Sequence, residues 1–272
     1  MANEIIEVKS ADVIQAIDRA EVDVQISTAK QYPRDVAQVL NKIRTYGQMD
    51  VETAGECFYS LPRGNNSSVE GVSVRFAEIV AGAWGNLRVA TRIIGNDGKT
   101  ITAQGLAHDL ETNLAVSVEV KRRITDKYGK TYSEDMQVVT GNAASAIAFR
   151  NAVLKVVPKA ITKKVMDEIK QVAIGSTKDI ASRRKAMLDY VRKFNITEEQ
   201  VLFFCKVSTT ENIDNQMLFN LRGALNAIND GDSTTEEIFI TPMIEAKKAK
   251  VAAKKAETAQ DRAAQAMAEN IK

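Results

Sequence analysis

The sequence predicts an α+β fold: an antiparallel β-meander packed with helices, then a small all-helical C-terminal module and a flexible tail. Three observations carry this prediction. Apolar residues repeat every second position over residues 86–125, whereas the flanking segments follow the helical period. Turn residues cut that stretch into three, at Gly95-Asn96-Asp97-Gly98 and at His108–Asn113. From Ala246 onward the chain is Ala, Lys, Glu and Gln with almost no large apolar side chains, so it has nothing with which to build a core.

Taken in order, residues 1–10 read as frayed and 11–20 as a short helix. Pro33 suits a first helical position, and Val36, Val39, Leu40 and Ile43 follow at helical spacing, predicting a helix over 34–46. Cys57–Pro62 is a short strand-like run, and Arg63–Ser67 a flexible loop. Ser67 and Glu70 match a capping box, with Val72, Phe76, Ile79, Val80 and Ala83 as the stripe of a helix over 68–83. In the meander, Leu87, Val89, Thr91 and Ile93 alternate with Arg88, Ala90, Arg92 and Ile94. Val116, Val118 and Val120 alternate with Ser117, Glu119, Lys121 and Arg123. One face is therefore apolar, and the other gathers Arg88, Arg92, Lys121 and Arg123. A mostly buried helix over 143–157 shows only Arg150, Asn151 and Lys155 as strong polar groups, and Pro158 ends it. A helix over about 161–173 closes this region at Gly175. Residues 177–240 read as a helical module, with Thr197 and Gln200 as a second capping box. The predicted divisions are a 1–29 segment, a 30–175 core, a 176–240 module and a 241–272 tail.

The 272 residues carry a net charge of only +2, unevenly spread. Residues 1–80 balance to −4, 119–192 to +8 (16 basic against 8 acidic), 195–245 to −7 and 246–272 to +4. A basic middle beside an acidic module suggests a polyanionic partner for the middle, although a solvated surface reads the same way. No run of apolar residues is long enough to span a membrane, and the acidic N-terminus has no leader-like apolar region. Cys57 and Cys205, in different segments, fit two buried thiols in a reducing cytoplasm.

Gly98-Lys99-Thr100 resembles the end of a phosphate-binding loop, but Ile93 stands where that motif needs a glycine, and the segment joins two strands. It reads as a hairpin turn, so neither ATP nor another cofactor is expected. His108-Asp109 with Glu111 reads as a tight turn, with a metal or acid–base site as the alternative. No catalytic group and no metal site are therefore assigned. The basic set is Arg88, Arg92, Lys121, Arg123, Lys127, Lys130, Arg150, Lys155 and Lys159. Tyr128 and Tyr132 lie among them, and Trp84 precedes them. Cations neutralise phosphates, and aromatic faces stack on unpaired bases. The same residues also fit a solvated sheet face with core aromatics.

The order of helix, meander and buried arginine-bearing helix resembles the core of the phage single-strand annealing proteins, the RecT, Redβ and Erf group. Ala103–Glu111 resembles their strand-and-turn segment, Ser145–Val153 their following helix, and residues 195–240 a helical module often appended to them. The likeness covers roughly residues 30–240. The chain departs from the Erf pattern around Asn142–Ala152, where aromatic and paired basic residues are expected. The resemblance implies an ATP-independent protein of the host cytoplasm, not an enzyme. Such a protein assembles with itself as a ring or filament, holds single-stranded DNA by its backbone and anneals complementary strands in recombination. Carried over, it implies that Arg150 and Lys155 touch the first strand's phosphates. Lys121, Arg123 and Lys127 line the same groove, and Arg63 clamps from the other side. Subunits join through sheet edges and the 68–83 helix. The acidic module recruits an exonuclease or a single-strand-binding protein. Competing expectations are an oligomeric virion or assembly protein without DNA affinity, and a metal-dependent nuclease using His108, Asp109 and Glu111.

Overall fold

The computed structural model describes residues 10–63, 67–126, 128–176, 178–249 and 251–252, and of 10–14, 63 and 67 the backbone only. The chain forms two compact units. The first takes Met1–Cys57 and Val72–Ala173, the second Phe58–Gly71 and Ile174–Lys272. The class is α+β, as the sequence predicts: a three-stranded antiparallel sheet with helices, a two-stranded sheet and a helical C-terminal region. Among the described residues, no helix is long and apolar enough to cross a membrane.

In the first unit, α1 (Ser10–Gln31) is much longer than the helix expected over 11–20. α2 (Val36–Gly47) starts not at Pro33 but behind Asp35, whose carboxylate accepts from the amides of Ala37 and Gln38. α3 (Val51–Glu56) is capped by Asp50 through the amide of Thr53. α4 (Val74–Trp84) begins later than its expected position. The predicted Ser67–Glu70 capping box is in fact strand, and Ser73 caps the helix through the amide of Phe76. Both sites pair a serine with a suitable stripe. What decides between them is that Phe76, Ala77, Val80, Ala83 and Trp84 are all buried once the helix starts at Val74.

The sheet is the meander β3 (Leu87–Asn96), β4 (Thr100–Asp109) and β5 (Leu114–Arg123), in the order β3-β4-β5. The β4–β5 register runs unbroken from Thr100↔Arg123 to Asp109↔Leu114, whereas β3 carries a bulge between Ile93 and Gly95. α5 (Glu134–Val156) lies on one face of this sheet and is joined by α6 (Lys159–Ile174). The seam is built of small residues: Ala103 meets Ala144 and Ala148, and Ala107 meets Ala152 and Val156. Gly105 faces the helix directly, and a Cβ there would collide with the carbonyl of Ala148. That close approach is why a glycine stands in mid-strand.

The second unit contains β1 (Phe58–Arg63) and β2 (Ser67–Val72), a two-stranded sheet. It also contains α7 (Ile180–Val191), α8 (Glu198–Cys205) and α9 (Asn215–Asn229). Its core joins Val191, Ile196, Val201, Ile213, Leu221, Leu225, Ile238 and Phe239. The Thr197–Gln200 capping box forms as predicted. The hairpin belongs here because of α9. Asn226 donates to the carbonyl of Phe58 at 2.7 Å, Phe58 packs on Phe219 at 5.6 Å, and Gly223 leaves room for the backbone at Ser60. A π-turn at Glu236–Ile240 runs into a helix that continues through 241–249. Met243 is buried and Lys247 pairs with Glu199 at 2.8 Å, so order extends past residue 240 into the expected tail. The tail's residues 253–272 lie outside the described residues.

Candidate nucleic-acid interface

Strand register fixes which side chains share a face. Arg88 pairs with His108, Arg92 with Gln104, Gln104 with Glu119, Thr102 with Lys121 and Thr100 with Arg123. Successive side chains on a strand point to opposite faces, so Arg88, Arg92, Lys121 and Arg123 stand on one face and α5 packs on the other. Glu119 is the single carboxylate on that face within the three strands. Arg92, Lys121 and Arg123 are exposed, while Arg88 is half-buried and donates to Gln25 of α1 at 3.2 Å. Arg122 points to the α5 side, opposite Ile101.

One end of the sheet is bordered by two turns lying side by side. The amide of Ile124 donates to the carbonyl of Lys99 at 2.8 Å, and the Thr131 hydroxyl to the carbonyl of Gly98 at 2.8 Å. Asp126 shapes the second turn by accepting from the amides of Tyr128 and Lys130, both at 2.9 Å. Tyr128 is 84% exposed there, and Lys130 is exposed beside it. Asp97 shapes the first turn. Backbone amides of Thr100 and Lys99 and the Thr100 hydroxyl hold its carboxyl down to about 2. Gly98 has a positive φ of 79°, which confirms the hairpin reading of Gly98-Lys99-Thr100. Lys99 is exposed in this turn, opposite Ile124 and just beyond the last paired residues Thr100 and Arg123.

The other expected residues fall elsewhere. Arg150 is buried to 9% exposure on α5, and Lys155 is exposed on the same helix, on the opposite side of the sheet from Lys121 and Arg123. A single groove holding all four, as expected from the family resemblance, is not what the packing gives. The reason is the small-residue seam, which commits α5 over residues 144–156 to the apolar face. Lys159 starts α6, also away from the polar face. Arg63 lies in β1 of the second unit and its side chain is outside the described residues, as is the whole of Lys127. Trp84, expected as a base-stacking candidate, is only 5% exposed.

Trp84 belongs to a different cluster, built around Arg34. The guanidinium donates to both oxygens of Asp109, reaches Glu111 at 2.9 Å and lies 4.3 Å over the Trp84 ring. The Arg34 amide also donates to Glu111 at 2.8 Å, the Trp84 indole N–H to Asp109 at 3.1 Å, and Asn86 to Glu111 at 2.6 Å. Burial pushes Asp109 and Glu111 up, but the hydrogen bonds outweigh it and hold both below the usual carboxylate range. Burial likewise pushes Arg34 down, and its two carboxylates more than reverse this. His108 points to the opposite face and contacts Asn113 at 2.9 Å. The three residues considered for metal or acid–base chemistry therefore form a tight turn and an ion-pair anchor. No group of three or more metal-ligating side chains occurs among the described residues. Burial pushes the Cys57 and Cys205 thiols up to about 12.

Comparison with protein-family models, with curated proteins and with solved structures gives no match.

Proposed function

We propose that this chain binds single-stranded DNA through the polar sheet face and anneals complementary strands without ATP, as a phage-type recombination protein of the host cytoplasm. One observation carries the reading. Four cations, Arg88, Arg92, Lys121 and Arg123, share a sheet face with a single carboxylate, and the turns at one end of the sheet carry the exposed Lys99, Lys130 and Tyr128. Phosphates gain from cations on the two outer strands, about 10 Å apart across β4, and an exposed tyrosine offers a stacking surface to an unpaired base. Specificity would come from base pairing between strands. The order helix, meander, buried arginine-bearing helix agrees with the annealing-protein resemblance and adds support to it.

The test mixes the protein with two complementary labelled oligonucleotides, without nucleotide triphosphate, over a salt series. Pairing that is accelerated and fades with salt supports the proposal. A folded protein that neither binds nor accelerates pairing rejects it in favour of a virion-assembly role, and magnesium-dependent strand loss rejects it in favour of a nuclease.

In the same reading the acidic stretch 195–245 of the second unit recruits a protein partner, an exonuclease or a single-strand-binding protein. Cutting at residue 177 would strip the β1–β2 hairpin of α9, so a clean removal must also take out 58–71. The Ser73 amide donates to the Cys57 carbonyl at 3.0 Å, so a short glycine linker can bridge that gap. The resulting folded core is expected to keep salt-dependent DNA binding, and loss of that binding would end the proposed division of labour.

A further inference from the structure

We infer that the free edge of β5 pairs with β5 of a second copy, antiparallel about a twofold axis at Val120, to give a continuous six-stranded sheet. This goes beyond DNA binding, holds whether or not the polar face binds nucleic acid, and gives a closed twofold pair where the family resemblance implies a ring or filament.

The sheet order β3-β4-β5 leaves two outer strands, and they differ. β3 is broken by its bulge at Ile93/Gly95, which spoils an edge as a template. β5 is regular over all ten residues, with an alternating exposure pattern and β-branched Val116, Val118 and Val120 on its half-buried positions. Charged residues on an edge ordinarily repel a random strand. Glu119, Lys121 and Arg123 do so for most partners, but not for their own copy.

The register follows by elimination. Keeping apolar side chains over apolar ones requires that like faces align, since a one-residue slip reverses every side chain. Five symmetric registers then centre on the middle of β5. An axis at Glu119 opposes two carboxylates, and one at Lys121 opposes two ammonium groups. An axis at Arg122 sets Lys121 against Arg123 twice. An axis at Val118 sets Glu119 against Ser117 and gains no ion pair. An axis at Val120 sets Glu119 against Lys121 of the second copy, twice by symmetry, and Arg123 against Ser117, with no like charges opposed. Among the described residues, neither Glu119 nor Lys121 makes an ion pair or side-chain hydrogen bond, although Lys121 lies near enough to Asp97 to help hold its carboxyl down. The twofold axis stands perpendicular to the sheet and puts both polar faces on one side. It also neutralises the one carboxylate of that face.

Chains with one introduced cysteine read the register, because the native Cys57 and Cys205 are buried and stay out of the chemistry. Directly opposed Cβ atoms lie about 4.5–5.5 Å apart, within reach of a disulfide after slight adjustment. Under mild oxidation, Glu119→Cys alone and Lys121→Cys alone are expected to stay monomeric, whereas their mixture gives a covalent dimer. Self-crosslinking of either variant, or no crosslink in the mixture, overturns the inference. In sedimentation, Glu119→Lys is expected to weaken self-association about tenfold, and Glu119→Lys/Lys121→Glu to restore most of it. A double variant no better than the single also overturns it.

Discussion

Arg34 and Arg92 serve the same unit and lie near strands of the same sheet, yet their surroundings give them opposite roles. Arg34 is met by two carboxylates, an indole face and nearly complete burial. Arg92 stands exposed beside Gln104 of β4, with Glu119 two strands away on β5. Arg34 lies over an aromatic ring, Trp84, and the sheet that carries Arg92 ends beside a turn with the exposed Tyr128. What separates an anchor from a binding surface is therefore not the arginine and aromatic pair but the counter-charge: where acids saturate the cation it holds the fold, and where they do not it faces solvent or a polyanion.

The largest effect that breaks this comparison is on stability. Arg34→Ala leaves Asp109 and Glu111 buried without their cation and is expected to cost about 3–5 kcal/mol, read by chemical denaturation. Near-normal stability would show that the cluster is not an anchor. Acid gives a milder version of the same loss. Asp109 and Glu111 have folded values below their unfolded ones, so their contribution is present above the ordinary carboxylate range and disappears as pH falls through the depressed values. The melting temperature should therefore drop below a pH of about 4, and more shallowly in Arg34→Ala than in the native chain. On the exposed side, Arg92→Ala/Lys121→Ala should reduce the slope of log affinity against log salt by about two, with stability changed by less than about 0.5 kcal/mol. Smallest of all, Lys155→Ala should leave the salt slope unchanged, because its helix packs on the other face. A slope reduced by about one would return Lys155 to the interface.

How much of this was legible in the sequence depends on the range of the interaction. The meander and its faces were readable because period-two alternation and an Asn-Asp-Gly turn act over a few residues. The shared face of Arg88, Arg92, Lys121 and Arg123 followed from the same parity. The small-residue seam was half visible as Ala103, Gly105 and Ala107, but nothing local says that it fixes α5 over residues 144–156, or that Arg150, about 200° round the helix from Ala148, is buried as well. β2 was missed because Ser67 and Glu70 satisfy a local capping pattern, and only the burial of Phe76 and Trp84 moves the start to Ser73. Arg34 and Asp109 are 75 residues apart, so their pairing leaves no local trace.

The hairpin Phe58–Gly71 has one more consequence, for the order in which the protein is made. Its anchor, the bond from Asn226 to the Phe58 carbonyl, spans 168 residues. On the ribosome every strand and helix of the first unit is finished by Ile174, while the hairpin leaves the exit tunnel early and waits for α9 to be translated. During that interval Phe58 has no Phe219 to cover it, and two short strands offer open edges to neighbouring nascent chains. The second unit thus closes only near the end of synthesis, and an mRNA truncated before α9 would yield a well-formed first unit with an adhesive loop. Polysomes carrying this message are where aggregation would start.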